Sequence, residues 1–135
     1  MPRTRPFDDL PGCAMEATVK IIGGKWKGVI LFHLLEGTVR FNELHRQVPG
    51  IAPRLLTKQL RELEEDGLVQ RTVYPVVPPK VEYALTEEAR SMEPLLIGLS
   101  NWGEQWLARR GIVLPAPKDA QEKPSSATPP APSEA

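Results

Sequence analysis

The sequence predicts a mainly α-helical domain with a small β-hairpin, and three observations predict it. Apolar residues recur at helical spacing through most of residues 14–109. Two β-prone runs, LVQRTVYPVV and KVEYAL, stand close together with Pro78-Pro79 between them. Just before them, APRLLTKQLRELEEDGLV (residues 52–69) places its cations and its leucines at separate helical spacings.

Composition bounds the rest. At 135 residues the chain has room for one domain with a real core, and its apolar and charged fractions are ordinary for a globular protein. No apolar run approaches the ~20 residues that span a bilayer, and the opening MPRTRPFDDLPG has no apolar stretch of signal-peptide length. No membrane association and a cytoplasmic location are therefore expected. Cys13 is the only cysteine, which rules out an internal disulfide and any zinc site built from several thiolates. Residues 1–12 read as a loose arm. Residues 112–135, rich in Pro, Ala and Ser without apolar periodicity, read as a disordered tail that buries too little to offset its ordering entropy. The folded unit is residues 13–111.

Within it, AMEATVKIIGG is a short helix ended by Gly23-Gly24. KWKGVILFHLLEG is a second helix, stopped by Gly37, whose Trp26, Val29, Ile30, Phe32 and Leu34 should be largely buried. TVRF is short and β-prone. Asn42 is placed to cap a third helix, NELHRQV, which stops at Pro49-Gly50. Pro53 suits the first turn of a fourth helix running to about Asp66, with Gly67 as its stop. The two β-prone runs form a hairpin whose proline-rich tip is not a simple two-residue turn. Thr86 caps a last helix with Glu87 and Glu88 in its first turn. Met92, Leu95, Leu96, Leu99, Trp102 and Trp106 share one stripe of that helix, and Pro94 should kink or divide it. Three helices, a fourth with a basic face, a hairpin and a long amphipathic helix make the layout of a winged helix-turn-helix.

The charge is sorted along this layout. Lys20, Lys25, Lys27, Arg40, Arg46, Arg54, Lys58 and Arg61 face only Glu36 and Glu43 between residues 20 and 61, a surplus of six positive charges in a formally neutral chain. On the fourth helix Leu56, Leu60 and Leu63 fall together with Leu55 at their margin, and Arg54, Thr57, Lys58 and Arg61 take the opposite arc. Such a face suits a major groove, where Arg and Lys donate to guanine or phosphate and Thr bonds either. It equally describes a solvated basic face. Glu62, Glu65 and Arg61 can pair on the surface at ~0.3–0.5 kcal/mol. Lys80, at the hairpin tip, suits the DNA backbone or minor groove, or is an exposed lysine on an ordinary turn.

IIGGKWKGVILFHLLEG, VRFNELHRQVPGIAPRLLTKQLRELEEDGLVQRTVYPVVPPKVEYALTE and NWGEQW together resemble the HxlR-type bacterial transcription regulators, over roughly residues 13–107. GGKW, RFNEL, LTKQLRELEEDGLV, the Y-P-x-V-P-P-K/R-V-E-Y hairpin and WGE carry the resemblance in this order. It implies a homodimeric winged-helix repressor or activator binding double-stranded DNA, with the first and last helices forming the dimer. It places Arg54, Thr57, Lys58 and Arg61 in the major groove, Lys80 on the wing and Asn42 near a phosphate. The fourth helix departs from the family pattern, with Ala52 where a capping serine is usual, at a cost of ~1 kcal/mol. Leu95, Leu99, Trp102 and Trp106 are the expected dimer anchors, with packing inside the protomer as the alternative.

Cys13 sits where several members of that family carry a cysteine, some of which sense oxidants or electrophiles. A thiol at a helix N-terminus is acidified, so Cys13 is either a redox sensor or a small buried hydrophobe. His33 and His45 lack acidic or thiol neighbours at ligand spacing, so no metal and no cofactor is expected. His33 belongs to the core margin, and His45, among polar residues, is placed to touch phosphate. No nucleophile–base arrangement or phosphate-binding glycine loop is present, so no catalytic residue is assigned and the chain is not read as an enzyme. The expectation is a dimeric DNA-binding regulator of near-palindromic sites, for which no residue pattern names an inducer. The rival is a winged helix used as a protein-interaction module.

Overall fold

The computed structural model describes residues 12–115. The arm expected at 1–12 and the tail expected at 112–135 lie outside the described residues, apart from Gly12 and residues 112–115.

Helix α1 (Ala14–Ile22) ends where Gly23 turns extended and Gly24 takes a positive φ. Helix α2 (Lys27–His33) tightens into a 3₁₀ turn over Leu34–Glu36 before Gly37. Ile30, Leu31 and Leu34 are fully buried, while Trp26 and Phe32 are half-buried. Val29 departs from expectation at 41% exposed, because it faces an open groove between α2 and the last helix instead of the core.

The chain then makes strand β1 (Val39–Arg40) and passes directly into helix α3 (Phe41–Gln47). Asn42 does not cap α3. Pairing of Val39 with Tyr83 and of Arg40 with Glu82 holds Arg40 extended, so the helix starts at Phe41 and Asn42 falls inside its first turn, exposed.

Between α3 and helix α4 (Pro53–Glu65) lies the turn of the helix-turn-helix. It buries Val48 and Ile51, and Gly50 supplies a φ of 93° that a β-carbon would oppose. His45 braces this turn: with Nε2 protonated it donates to the Ile51 carbonyl at 2.8 Å, and its ring lies parallel to Phe41. The ring is half-buried, and Nε2 is the nitrogen engaged.

Helix α4 buries Leu56, Leu60 and Leu63, as its periodicity predicts, and Pro53 occupies its first turn. Its end is closed by paired backbone bonds, Leu68 N–H to the Leu63 carbonyl (2.9 Å) and Gly67 N–H to the Glu64 carbonyl (3.1 Å), with Gly67 at φ 80°. This closure brings Leu68 onto Leu63, and both are buried. Strands β2 (Val69–Tyr74) and β3 (Lys80–Leu85) then pair antiparallel from Val69↔Leu85 to Tyr74↔Lys80. Their tip is residues 75–79, with a cis Val77–Pro78 bond. Because β1 joins the free edge of β3, the hairpin becomes a three-stranded sheet in the order β1-β3-β2.

Thr86 caps helix α5 (Glu87–Arg90), accepting from the Ala89 N–H at 3.2 Å. The same hydroxyl donates to the Gly67 carbonyl at 2.7 Å, tying the end of α4 to the start of α5. Pro94 divides the predicted last helix, entering helix α6 (Glu93–Arg109) in its first turn, where its missing N–H costs nothing. Among the described residues no helix is long and apolar enough to cross a membrane. The fold is a winged helix-turn-helix, with helices around a small antiparallel sheet.

Candidate nucleic-acid interface

Alternation of the leucines toward the core leaves Arg54, Thr57, Lys58 and Arg61 exposed together on the outer face of α4. Of the acids at the end of this helix, Glu62 pairs with lysines. Glu62, not Arg61, is the hub. Its carboxylate receives Lys58 Nζ and Lys27 Nζ, each at 2.8 Å, so α4 is bonded to α2. The side chains of Lys27 and Glu62 are 12% and 15% exposed, that of Lys58 64%. Desolvation pushes the Glu62 carboxyl up, but the hydrogen bonds and charges of the two lysines outweigh it and bring it down to about 2.

The wing carries its charge below its tip. Lys80 Nζ sits 4.6 Å over the Tyr74 ring and 3.6 Å from the Glu82 carboxylate. Glu82, as hydrogen-bond acceptor and as charge, raises the Tyr74 hydroxyl above its usual range. Strand alternation puts Tyr74, Lys80 and Glu82 on one face of the sheet, and Val69, Arg71 and Tyr83 on the other. The tip itself is apolar, with Val77 99% exposed.

Two clefts gather the candidate residues. One, of about 630 Å³, is lined by Arg40, Asn42, Arg46, Pro78, Pro79 and Lys80 among others, joining the start of α3 to the wing. Asn42 and Lys80, far apart in sequence, thus line one cleft. The other, of about 260 Å³, lies between α4 and β2 and is lined by Thr57, Arg61, Glu64, Arg71 and Tyr83. Arg54 and Lys58 line neither cleft. Arg71 is the residue sequence reasoning missed. The signal was available in the alternation of β2, which sets Arg71 on the face of the apolar Val69, but only the register Arg71↔Tyr83 brings it beside α4.

Cys13 is exposed immediately before α1. The backbone N–H groups of Glu16 and Met15 at the helix start hold its thiol below the ordinary range. Of the apolar stripe on α6 only Leu96 is buried; Leu99 and Trp102 are 50% and 62% exposed, and Leu95 is also uncovered. Trp106 is half-buried beneath the Arg110 guanidinium, 3.8 Å from its ring centroid.

With this geometry established, similarity to known proteins is specific. A family model described as HxlR-like helix-turn-helix matches residues 21–111. The HTH-type transcriptional regulator YdeP of Bacillus subtilis (strain 168) is 51% identical over 116 residues, covering 86% of this chain and 90% of that protein. The redox regulator HypR in its reduced form superposes with a TM-score of 0.66 at 53% identity, over 69% of this chain and 92% of that one. The reduced transcriptional regulator YodB from B. subtilis superposes at 0.61 with 34% identity, over 70% of this chain and 93% of that one.

Proposed function

Because the chain belongs to the HxlR-like helix-turn-helix family and is thereby a transcriptional regulator, we propose that it acts as a homodimer on near-palindromic duplex DNA. Residues 13–111 form the working unit. The observation that carries this reading is the outer face of α4, where Arg54, Thr57, Lys58 and Arg61 are exposed while the leucines behind them are buried. Inserted in a major groove, that face puts Arg54 on base edges and the other three on base edges or phosphates. Asn42 and Lys80, facing one cleft with Arg40 and Arg46, hold the backbone beside the wing. Two such helices in a two-fold dimer meet half-sites about one helical turn apart. The uncovered Leu95, Leu99 and Trp102, with Trp106 at the stripe's end, support α6 as the dimer contact.

Fluorescence anisotropy over a salt series tests this reading. Affinity for duplex DNA should fall steeply with salt, as each neutralised phosphate adds about −0.9 to the slope of log K against log salt. Undetectable or salt-insensitive binding would leave the winged helix as a protein-interaction module.

A second reading concerns Cys13. Its exposure and its acidified thiol support a redox response, and the related HypR and YodB have been solved in reduced forms and in oxidized or diamide-treated ones. Since Cys13 is the only cysteine, oxidation joins it to the partner protomer's own Cys13 or to a small thiol. Diamide should alter DNA affinity of the native chain and leave Cys13→Ser unaffected; equal responses would remove the cysteine from regulation.

A further inference from the structure

Several cations among the described residues are engaged. Lys27 and Lys58 meet Glu62, Lys80 meets Tyr74 and Glu82, Lys25 covers Trp26 at 4.7 Å, and Arg110 covers Trp106. Arg61 and Arg71 stand out among the rest by sharing one cleft. They line the same cleft of about 260 Å³, one from α4 and one from β2, and among the described residues neither guanidinium is ion-paired or hydrogen-bonded. Glu64 lines the cleft as well, yet holds neither arginine. Two like charges turned into one small polar space repel each other, and an anion between them removes the repulsion. Guanidinium forks suit the oxygens of a phosphate, and the Thr57 hydroxyl is present as a third donor.

We propose that the cleft between α4 and β2 is a phosphate clamp, in which Arg61, Arg71 and Thr57 grip one phosphodiester of the DNA strand flanking the recognition helix. This rests on the DNA-binding reading and deepens it. The clamp takes one donor set from the helix that reads bases and one from the wing strand, so it sets how α4 lies in the groove. Phosphate contacts carry register and affinity without base preference. Arg71 is therefore a positioning residue of the recognition helix, although it lies outside the helix-turn-helix. The Glu64 carboxylate at the cleft's margin leaves a net charge of one, which suits the single charge of a phosphodiester.

The test uses the full chain, with duplexes selected from a random pool by the wild type and an unrelated duplex as control. Arg71→Gln should weaken both about tenfold, the scale of a lost charge-assisted hydrogen bond, and should make the salt slope shallower by about 0.9. Arg71→Lys, which keeps the charge and loses the fork, should restore the slope with only part of the affinity, which a merely structural residue would not do. Replacing single phosphates by methylphosphonate should reveal one position per half-site that costs the wild type affinity and costs Arg71→Gln nothing. If wild type fails to bind DNA, the regulator reading falls and the clamp with it. If wild type binds and Arg71→Gln keeps its slope, the clamp alone is overturned. The same holds if inorganic phosphate, at constant ionic strength, raises the Tm of the wild type but not of Arg71→Gln while their DNA slopes coincide, for the cleft would then be a free-anion site.

Discussion

Glu62 ties α4 to α2, and acid titration measures how much this is worth. Its carboxyl lies at about 2 against an ordinary 4.5. A depressed carboxyl pKa stabilises the folded state above its unfolded value, and that contribution is lost as pH falls from about 4.5 through about 2. At ~1.36 kcal/mol per unit the whole shift is a ceiling of about 3 kcal/mol. The Lys58 share is that of an exposed i,i+4 pair, about 0.3–0.5 kcal/mol, because its side chain is 64% exposed. The Lys27 share is larger, since both partners are largely covered, but desolvation offsets part of it. A net of about 1–2 kcal/mol is expected for Glu62→Gln at pH 6 by urea denaturation, or roughly 4–8 °C in Tm per kcal/mol for a domain of this size. The gap between native chain and variant should close steadily from pH 4.5 to pH 2. A gap that stays constant to pH 2.5, or is absent at pH 6, would refute the reasoning.

Ala52→Ser should supply the missing cap of α4, where the backbone is already extended (φ −69°, ψ 145°), and raise stability by about 1 kcal/mol in urea denaturation. Leu60→Ala, at a side chain 1% exposed, should cost about 2–5 kcal/mol by the same measurement. Leu99→Ser with Trp102→Ser should weaken dimerisation at least about thirtyfold in sedimentation equilibrium while the protomer's circular dichroism is kept, since both side chains are uncovered in the protomer. Arg54→Ala should relax base preference at one position per half-site in a selection from random duplexes; an even loss across sequences would assign Arg54 to phosphate.

Much of the fold was legible because its determinants are local. Leucines three and four residues apart specify which face of α4 turns inward, Pro53 and Gly67 mark its ends, and Thr86 starts α5. The exposed quartet Arg54, Thr57, Lys58 and Arg61 follows from the same period, since cations left on the far arc have nowhere else to go. Pro94 announced a break, and its place in the first turn of α6 made that break a division. Where a local signal competed with pairing, pairing won: Asn42 is a good cap, but the β1–β3 ladder extends Arg40 and makes it the cap, two residues earlier.

The sequence by itself therefore determined the order of elements, the inward and outward faces of α4 and the sorting of charge along it, because each is set within a few turns of chain. Tertiary structure alone decided which distant groups meet. It set Lys27 of α2 on Glu62 and His45 on the turn it braces, and it brought Arg71 from strand β2 to one cleft with Arg61. Those partners lie in different elements or in the turn between them, and a pattern read along one element does not contain the distance to another.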